Sequence, residues 1–338
     1  MADAAPLIDA GVYEFTFGAR ADERDALLEF WLRLGFTVTA EGRLGADEAA
    51  GLYGHASSVQ TLRLDHAGCA SYGTGYVRLQ CWDRPLNDGL GDALPLDVGS
   101  RWMGMYTRDI LELRDSFQGE QALGRADYDV SPLVSAPLAK PPPAVSLAEP
   151  FVGLREMLVF GERFRLAFIQ RGGFDRPGFG TFDETIPFKT TEGSHANIVQ
   201  PIGAFSTDFY KTVFGFETAP FGEEHDSGDE PSTKIALRLA PGQLFRVERL
   251  RAPDCPTGLL QVYSPHSDSA DVRERSRPGA RNLSHYSLKV RDLAECRRRI
   301  EAVPDAGVVG AGSDEFGAEA LTFRAPDGAV WVAVANAG

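Results

Sequence analysis

The chain has 338 residues, of which 43% are hydrophobic and 24% charged, so it is long enough to bury the core of one large or two medium domains. Its formal net charge of -14 argues against nucleic acids and anionic membranes as partners, because like charges repel. The N-terminal segment MADAAPLIDAGVYEF has no basic region followed by an apolar one, and the four cysteines include no CxxC pair. We therefore expect a cytoplasmic protein with reduced thiols.

The first half of the chain alternates strands and helices. VYEFTF precedes an amphipathic helix over about 21–34, whose apolar face carries Leu27 and Trp31, and three strand segments follow (FTVTAEG, VQTLRLD and YVRLQCW). RWMGMYT then precedes a second helix that begins near Asp109, with MLVFG and FRLAFIQ as later strands. The Pro-rich stretch SAPLAKPPPAV (135–145) is predicted to be a long loop that forms a lid or wall.

The second half repeats this order of elements. ANIVQPI precedes a helix over about 205–214, and FETAP, KIALRLA, LFRVERL and LLQVY follow as strands; HYSLKV precedes a last helix, followed by AGVVGAG, ALTFRA and AVWVAVA. The segment between the halves is rich in Gly, Pro and Thr, which is typical of a linker. We predict an N-terminal pair of modules at 1–172, a linker at 173–192 and a C-terminal pair of modules at 193–338.

Two sequence matches indicate that the halves are duplicates. FWLRLGF and FYKTVFGF each end a helix at a glycine, Gly35 and Gly215, which lie 180 residues apart. TRDILELRDSF and VRDLAECRRRI each begin a helix at an aspartate suited to the N-cap, Asp109 and Asp292, which lie 183 residues apart. Because two independent features recur at nearly the same sequence separation, we infer an α+β chain of four βαβββ modules.

Four βαβββ modules in two paired halves resemble the vicinal oxygen chelate superfamily, which includes glyoxalase I, extradiol dioxygenases and bleomycin-resistance proteins. FYKTVFGF is similar to the helix-to-strand corner of that family, and APDGAVWV (325–332) is similar to its last hairpin. The resemblance implies that each half is a curved mixed sheet, a cup with helices outside, and that one metal ion in a cup chelates vicinal oxygens of the substrate. It also implies metal ligands on the first and last strands of the modules.

The resemblance singles out two histidines as metal ligands and catalytic residues. His195 in SHANIV and His285 in SHYSLKV take matching first-strand positions in the third and fourth modules, and both imidazoles should reach one cup if these modules pair. Such a site suits a divalent Fe, Mn, Ni or Zn ion, with Gln261 in LLQVY as a substitute third ligand. The carboxylate expected near Val332 is absent, so a metal-free site that uses the histidines as general acid and base stays open.

The corresponding positions of the first half carry Phe15 and Trp102, so the N-terminal half is predicted to be non-catalytic. Tyr286 is a candidate catalytic donor to a substrate oxyanion, and Tyr263 and Arg246 are candidate substrate-binding residues. For the tyrosines the alternative is packing, and for the arginine it is a surface ion pair.

These patterns favour a lyase or isomerase that acts on a small oxygenated substrate through a stabilised oxyanion, with aromatic compounds among the candidate substrates. One alternative is an extradiol ring-cleavage dioxygenase, and another is a non-catalytic protein that binds a small molecule such as an antibiotic. A small-molecule substrate is the expected partner, nucleic acid and membrane are not, and a homodimer stays open.

Overall fold

The computed structural model describes residues 6–137, 151–173, 180–202, 206–219, 225–227 and 231–336. Most of the predicted Pro-rich loop at 135–145 lies outside the described residues. Module 1 consists of β1 (Glu14–Arg20), α1 (Arg24–Arg33), β2 (Thr37–Leu44), α2 (Ala46–Tyr53), β3 (Val59–Asp65), α3 (Cys69–Tyr72) and β4 (Tyr76–Trp82). Module 2 consists of β5 (Arg101–Tyr106), α4 (Ile110–Ala122), β6 (Tyr128–Val130), β7 (Val134–Pro137), β8 (Gly153–Gly161) and β9 (Arg165–Gly172).

The second half forms two further modules. Module 3 consists of β10 (His195–Val199), α5 (Ser206–Phe209) with its π-helical extension (Tyr210–Phe214), β11 (Glu217–Thr218), β12 (His225–Ser227), α6 (Pro231–Ala236), β13 (Phe245–Arg251) and β14 (Leu259–Pro265). Module 4 consists of β15 (Asn282–Val290), α7 (Leu293–Glu301), β16 (Gly307–Ser313), β17 (Glu319–Arg324) and β18 (Val330–Ala335). None of the helices in the described part of the chain is both long and apolar enough to cross a membrane.

Three of the four local signals that revealed the repeat have the predicted structure. Gly35 and Gly215 both have a φ of 87°, a left-handed conformation that only glycine adopts without strain, and each ends the helix before it. Asp292 caps α7, since its side chain accepts a hydrogen bond from the backbone N–H of Glu295. Asp109 occupies the N-cap of α4 but forms an ion pair with Lys189 at 3.0 Å instead of a side-chain cap.

The strands form two mixed, curved sheets, as the α+β prediction requires. Sheet A has the strand order β16-β17-β18-β15-β1-β4-β3-β2. Sheet B has the order β11-β13-β14-β10-β5-β9-β8-β6, with β12 beside β13 and β7 beside β8. Because β1 pairs antiparallel with β15 and β5 pairs antiparallel with β10, module 1 joins module 4 and module 2 joins module 3. Each sheet therefore combines one module from each half, which differs from the expected pairing of neighbouring modules.

One apolar core lies between the two sheets and also takes the inner faces of the helices. Phe15 and Tyr286 enter it from sheet A, Met103 and Ala196 enter it from sheet B, and Trp31 enters it from α1. Successive side chains of a strand point to opposite faces of its sheet, so the neighbours of these residues point away from the core. We call the face of sheet A opposite this core cup A, and the corresponding face of sheet B cup B.

Candidate functional site

The two predicted histidines lie in different cups. His195 is adjacent to Ala196, and His285 is adjacent to Tyr286; both of these neighbours belong to the shared core, so each imidazole lies on the far face of its own sheet. The prediction that both imidazoles hold one metal ion depended on modules 3 and 4 pairing, and the strand order corrects it. His195 belongs to cup B and His285 to cup A.

Tyr286 is a packing residue and not a substrate contact. Its ring lies in the shared core, and its hydroxyl donates to the backbone carbonyl oxygen of Asn197 at 2.7 Å, with that of Trp102 3.2 Å away. Burial raises the pKa of Tyr286, so the phenol keeps its proton. The hydrogen bond links sheet A to sheet B. The prediction of a catalytic tyrosine at this position is therefore wrong.

Arg246 also lies away from the predicted site, whereas Gln261 and Tyr263 lie within cup B. On β13, Val247 faces Tyr263 and Arg249 faces Gln261 in the strand register, so Arg246 belongs to the opposite face. Arg246 is exposed. The arginine of β13 that reaches cup B is Arg249, whose Nε donates to Gln261 Oε1 at 3.2 Å.

Gln261 Oε1 is a shared acceptor in cup B. It accepts from Arg249 and also from the hydroxyl of Tyr263 at 3.2 Å. Burial raises the pKa of Tyr263, so its hydroxyl remains a donor at neutral pH. The ring of Tyr263 lies 5.0 Å from that of Trp102, centroid to centroid, so aromatic rings lie beside the polar groups of cup B.

The imidazole of His195 is held in a defined orientation over a glycine. A Cβ on Gly104 of the neighbouring strand would overlap the ring, so only glycine leaves room for it. Ser194 Oγ lies 3.1 Å from the carbonyl oxygen of Gly104 and 2.9 Å from His195 Nδ1. Because a carbonyl oxygen can only accept, the single hydroxyl proton of Ser194 is donated to it, and Nδ1–H of His195 donates to Oγ. The Nε2 lone pair therefore remains as an acceptor.

The same pair of residues recurs in cup A. Ser284 Oγ donates to the carbonyl oxygen of Thr16 at 3.1 Å and lies 2.9 Å from His285 Nδ1. Burial, followed by the charges of Arg78 and Arg101, lowers the pKa of His285 well below its usual value. Each sheet therefore presents one neutral imidazole of the same tautomer, fixed by the serine that precedes it.

His195 is also neutral, and a second titratable group lies in the same cup. Burial, with the nearby guanidinium groups of Arg249 and Arg171, lowers the pKa of His195 to about 3. Glu156 of β8 lies two residues before Leu158, which packs on the cup side with Trp102. Burial raises the pKa of Glu156 to about 7, against a smaller opposing effect of Arg249. A carboxyl group that titrates near neutrality is suited to general acid–base chemistry.

Cup B exposes more of its polar side chains to solvent than cup A does. Glu156, Arg171, Arg249 and Tyr263 arise from the concave face of sheet B, and each is partly exposed. On the corresponding face of sheet A, the most exposed side chain of the following set is 1% accessible: Glu14, Thr16, Arg78, Gln80, His285, Ser287 and Thr322. A ligand from solvent can therefore contact these four side chains of cup B.

A divalent metal ion does not fit the donors of cup B. Among the residues that the structure describes, no three His, Cys, Asp or Glu side chains are grouped in a way that could hold an ion. The oxygen of Gln261 is already occupied by two donors, and the guanidinium group of Arg249 beside it repels a cation. In cup A, the expected ligand position is the apolar Val332, and the nearby carboxylates of Glu14 and Glu315 are paired with Arg78.

Sequence reasoning missed Glu156 and Arg249. A lone glutamate before the apolar run MLVF could have marked Glu156, because a charged residue inside a buried strand is costly unless it has a use. Arg249 could have been chosen over Arg246 only with the register of β13 against β14 in hand, since the two arginines lie on opposite faces.

Neither a family model nor a curated protein matches the sequence. Solved structures do match over nearly the whole chain. Glyoxalase I from Zea mays is 11% identical, with 96% of this chain and 92% of that chain covered at a TM-score of 0.56. A single-site variant of the same enzyme gives 10% identity, coverage of 97% and 94%, and a TM-score of 0.56. A protein from Bacillus subtilis subsp. subtilis str. 168 that carries a provisional dioxygenase designation is 13% identical, with 99% of this chain and 87% of that chain covered at a TM-score of 0.56.

Proposed function

With the vicinal oxygen chelate fold as the premise, we propose that the protein is an enzyme of the lyase or isomerase type that works in cup B without a metal ion. The proposal is carried by the position of Glu156, partly exposed in the cup that also holds Arg249 and Tyr263, where burial raises its pKa to about 7. The substrate is a small anionic molecule with a carbonyl group and a neighbouring hydroxyl or carboxylate. The reaction passes through an enolate-like oxyanion.

The roles of the residues follow from their charges and donors. Glu156 in its ionised form removes a proton from the carbon next to the substrate carbonyl, and in its protonated form it returns a proton to the product. The negative charge that develops on the carbonyl oxygen is stabilised by the guanidinium group of Arg249 and by the hydroxyl of Tyr263, which turns its one proton from Gln261 to the oxyanion. His195 stays neutral, so its Nε2 accepts a hydrogen bond from a substrate hydroxyl and orients it.

The dioxygenase alternative is less well supported by cup B. Oxygen activation at a non-haem iron uses two histidines and a carboxylate on one face of the ion, whereas cup B contributes one histidine. Module 2 supplies Gly104 and Glu156 to this cup, so in the proposed site both halves of the chain take part. The proposed site lies between modules 2 and 3, whereas the sequence predicts a non-catalytic N-terminal half.

Arg249→Met is expected to weaken binding of a small carboxylate by at least about tenfold, because a hydrogen bond to a charged group contributes about 1.5–3 kcal/mol. The probes are pyruvate, lactate, benzoate and phenylpyruvate, and the measurement is titration calorimetry supported by tryptophan fluorescence, since Trp102 borders the cup. Arg246→Met is the matched control, because it removes the same group from the opposite face of the same strand. We expect its affinities to remain within about twofold of wild type.

If both variants lose affinity equally, or neither does, the ligand does not bind in cup B and the proposal is wrong. If Arg249→Met alone loses affinity but the wild type exchanges no substrate protons with solvent, the protein is a binding protein and not an enzyme.

A further inference from the structure

Cup A contains a carboxylate with four convergent donors. Glu315, in the turn between β16 and β17, accepts hydrogen bonds at 2.9 Å from Tyr53 Oη, 3.0 Å from Thr61 Oγ1, 2.7 Å from Arg78 Nη1 and 2.6 Å from Gln80 Nε2. The donors belong to module 1, whereas the acceptor comes from module 4, more than 230 residues away in the chain. A guanidinium group, a phenol, a hydroxyl and an amide around one carboxylate are what a carboxylate-binding site contains.

Cup A also contains buried polar atoms that do not bond to Glu315. Among the described residues, the buried atoms Thr16 Oγ1, Ser287 Oγ, Thr322 Oγ1 and Gln80 Oε1 have no hydrogen-bond partner. These side chains are at most 1% exposed. Ser287 and Thr322 lie on the strands that flank β18, and each is directly opposite Val332 in the register. Unpaired buried hydroxyls are costly in a protein interior, so the part of cup A around Glu315 is a polar region. It lies beside a buried apolar cluster that includes Trp82, Val332 and Val334.

The turn that carries Glu315 is fixed in place from both sides. Asp314 Oδ1 accepts from the backbone N–H groups of Phe316 at 3.0 Å and Ala318 at 2.9 Å, while its other oxygen pairs with Arg78 at 2.9 Å. The ring of Phe316 lies 4.8 Å from the guanidinium groups of both Arg63 and Arg78 and covers them. The turn thus fills the cup in the manner of a bound ligand.

We propose that cup A is a site for small monocarboxylates that the chain fills with its own Glu315. All four donors contact the carboxylate oxygens, so the polypeptide attached to this carboxylate serves only to hold it in place. The native protein therefore takes no external carboxylate in cup A, because the covalently attached one is always present at a high effective concentration. Removal of Glu315 leaves a chamber that a free carboxylate can enter.

The test is rescue of Glu315→Ala by acetate, which replaces the atoms that the substitution removes. Glu315→Ala is expected to melt at a lower temperature than wild type, and acetate at about 100 times its dissociation constant is expected to raise that temperature saturably, by about 5 °C. Wild type and the control Glu319→Ala, on the exposed face of the same hairpin, should show no saturable shift with acetate. Chloride at the same ionic strength should leave all three unchanged.

An acetate effect that is equal in all three proteins, or absent from Glu315→Ala, would overturn the proposal. If Glu315→Ala does not fold by itself, the readout is refolding: soluble, cooperatively melting protein should be recovered in acetate and not in chloride. Failure to recover it in both salts would count against the proposal in the same way.

Discussion

Glu156→Gln is expected to slow solvent exchange at the carbon next to the substrate carbonyl by about 10²–10⁴-fold, because an amide can neither remove nor return the proton. The measurement is nuclear magnetic resonance of phenylpyruvate or pyruvate in D₂O, where the wild type replaces hydrogen on that carbon with deuterium above the uncatalysed rate. Ligand affinity should change little, since Arg249 and Tyr263 remain in place. Glu112→Gln, an exposed carboxylate on α4, is the control and should exchange like wild type.

The same substitution is expected to stabilise the protein at alkaline pH. The pKa of Glu156 is raised to about 7 in the folded protein from an ordinary value of 4.5. The contribution of its protonated form to the free energy of unfolding is therefore fully present below pH 4.5 and is lost as the pH rises to about 7. At pH 8 the folded wild type therefore carries a buried charge that Glu156→Gln lacks. Allowing for the partial access of this side chain to solvent, the free energy of unfolding should increase by about 1–2 kcal/mol.

A loss of exchange together with a gain in stability would identify Glu156 as a residue kept for chemistry and not for folding. Exchange that persists unchanged in Glu156→Gln would remove this residue from the reaction. If the difference in unfolding free energy between Glu156→Gln and wild type were the same at pH 5 and at pH 8, the carboxyl group would titrate normally.

Arg78→Met is expected to lower the free energy of unfolding by about 3–5 kcal/mol, the effect of leaving buried charges without their partner. Arg78 is 1% exposed and pairs with Glu14 at 2.7 Å, Asp314 at 2.9 Å and Glu315 at 2.7 Å. Native domains are stable by only about 5–15 kcal/mol, so the variant should unfold at a much lower urea concentration. Circular dichroism during urea denaturation measures the change.

The control for this substitution is Arg43→Met, an exposed arginine on β2 of the same sheet, for which a change within about 0.5 kcal/mol is expected. If Arg78→Met were within about 1 kcal/mol of wild type, the closed polar cluster of cup A would not be a stabilising feature, and cup A would have to be reconsidered as a space open to ligands.

Local features of the fold could be predicted from the sequence because they depend on neighbouring residues. Gly35 and Gly215 end helices in a left-handed conformation, and Asp292 caps α7, since these effects act within one helical turn. The four modules followed from the repeated spacing of such signals. The pairing of the modules did not follow, because four similar first strands can pair in several ways and long-range contacts such as the Tyr286 hydroxyl decide among them.

The candidate site was harder to predict than the fold for the same reason. The structure places the predicted site residues His195, Gln261 and Tyr263 together on the concave face of sheet B, and their roles in binding or catalysis stay predictions. Arg246 was chosen where Arg249 is the residue in the cup, because the face of a strand residue is fixed by its register against the next strand. His285 was assigned to the same cup as His195 because its sheet could not be known before the module pairing.

The most direct test of the claim that cup B is the ligand site is a crystal structure of the protein soaked with 4-bromobenzoate, with the bromine located by anomalous scattering. The account predicts one anomalous peak in cup B, with the carboxylate on Arg249 and Tyr263, and none in cup A, where Glu315 holds the donors. A peak in cup A, or a ligand bound away from both cups with cup B empty at saturating concentration, would contradict it.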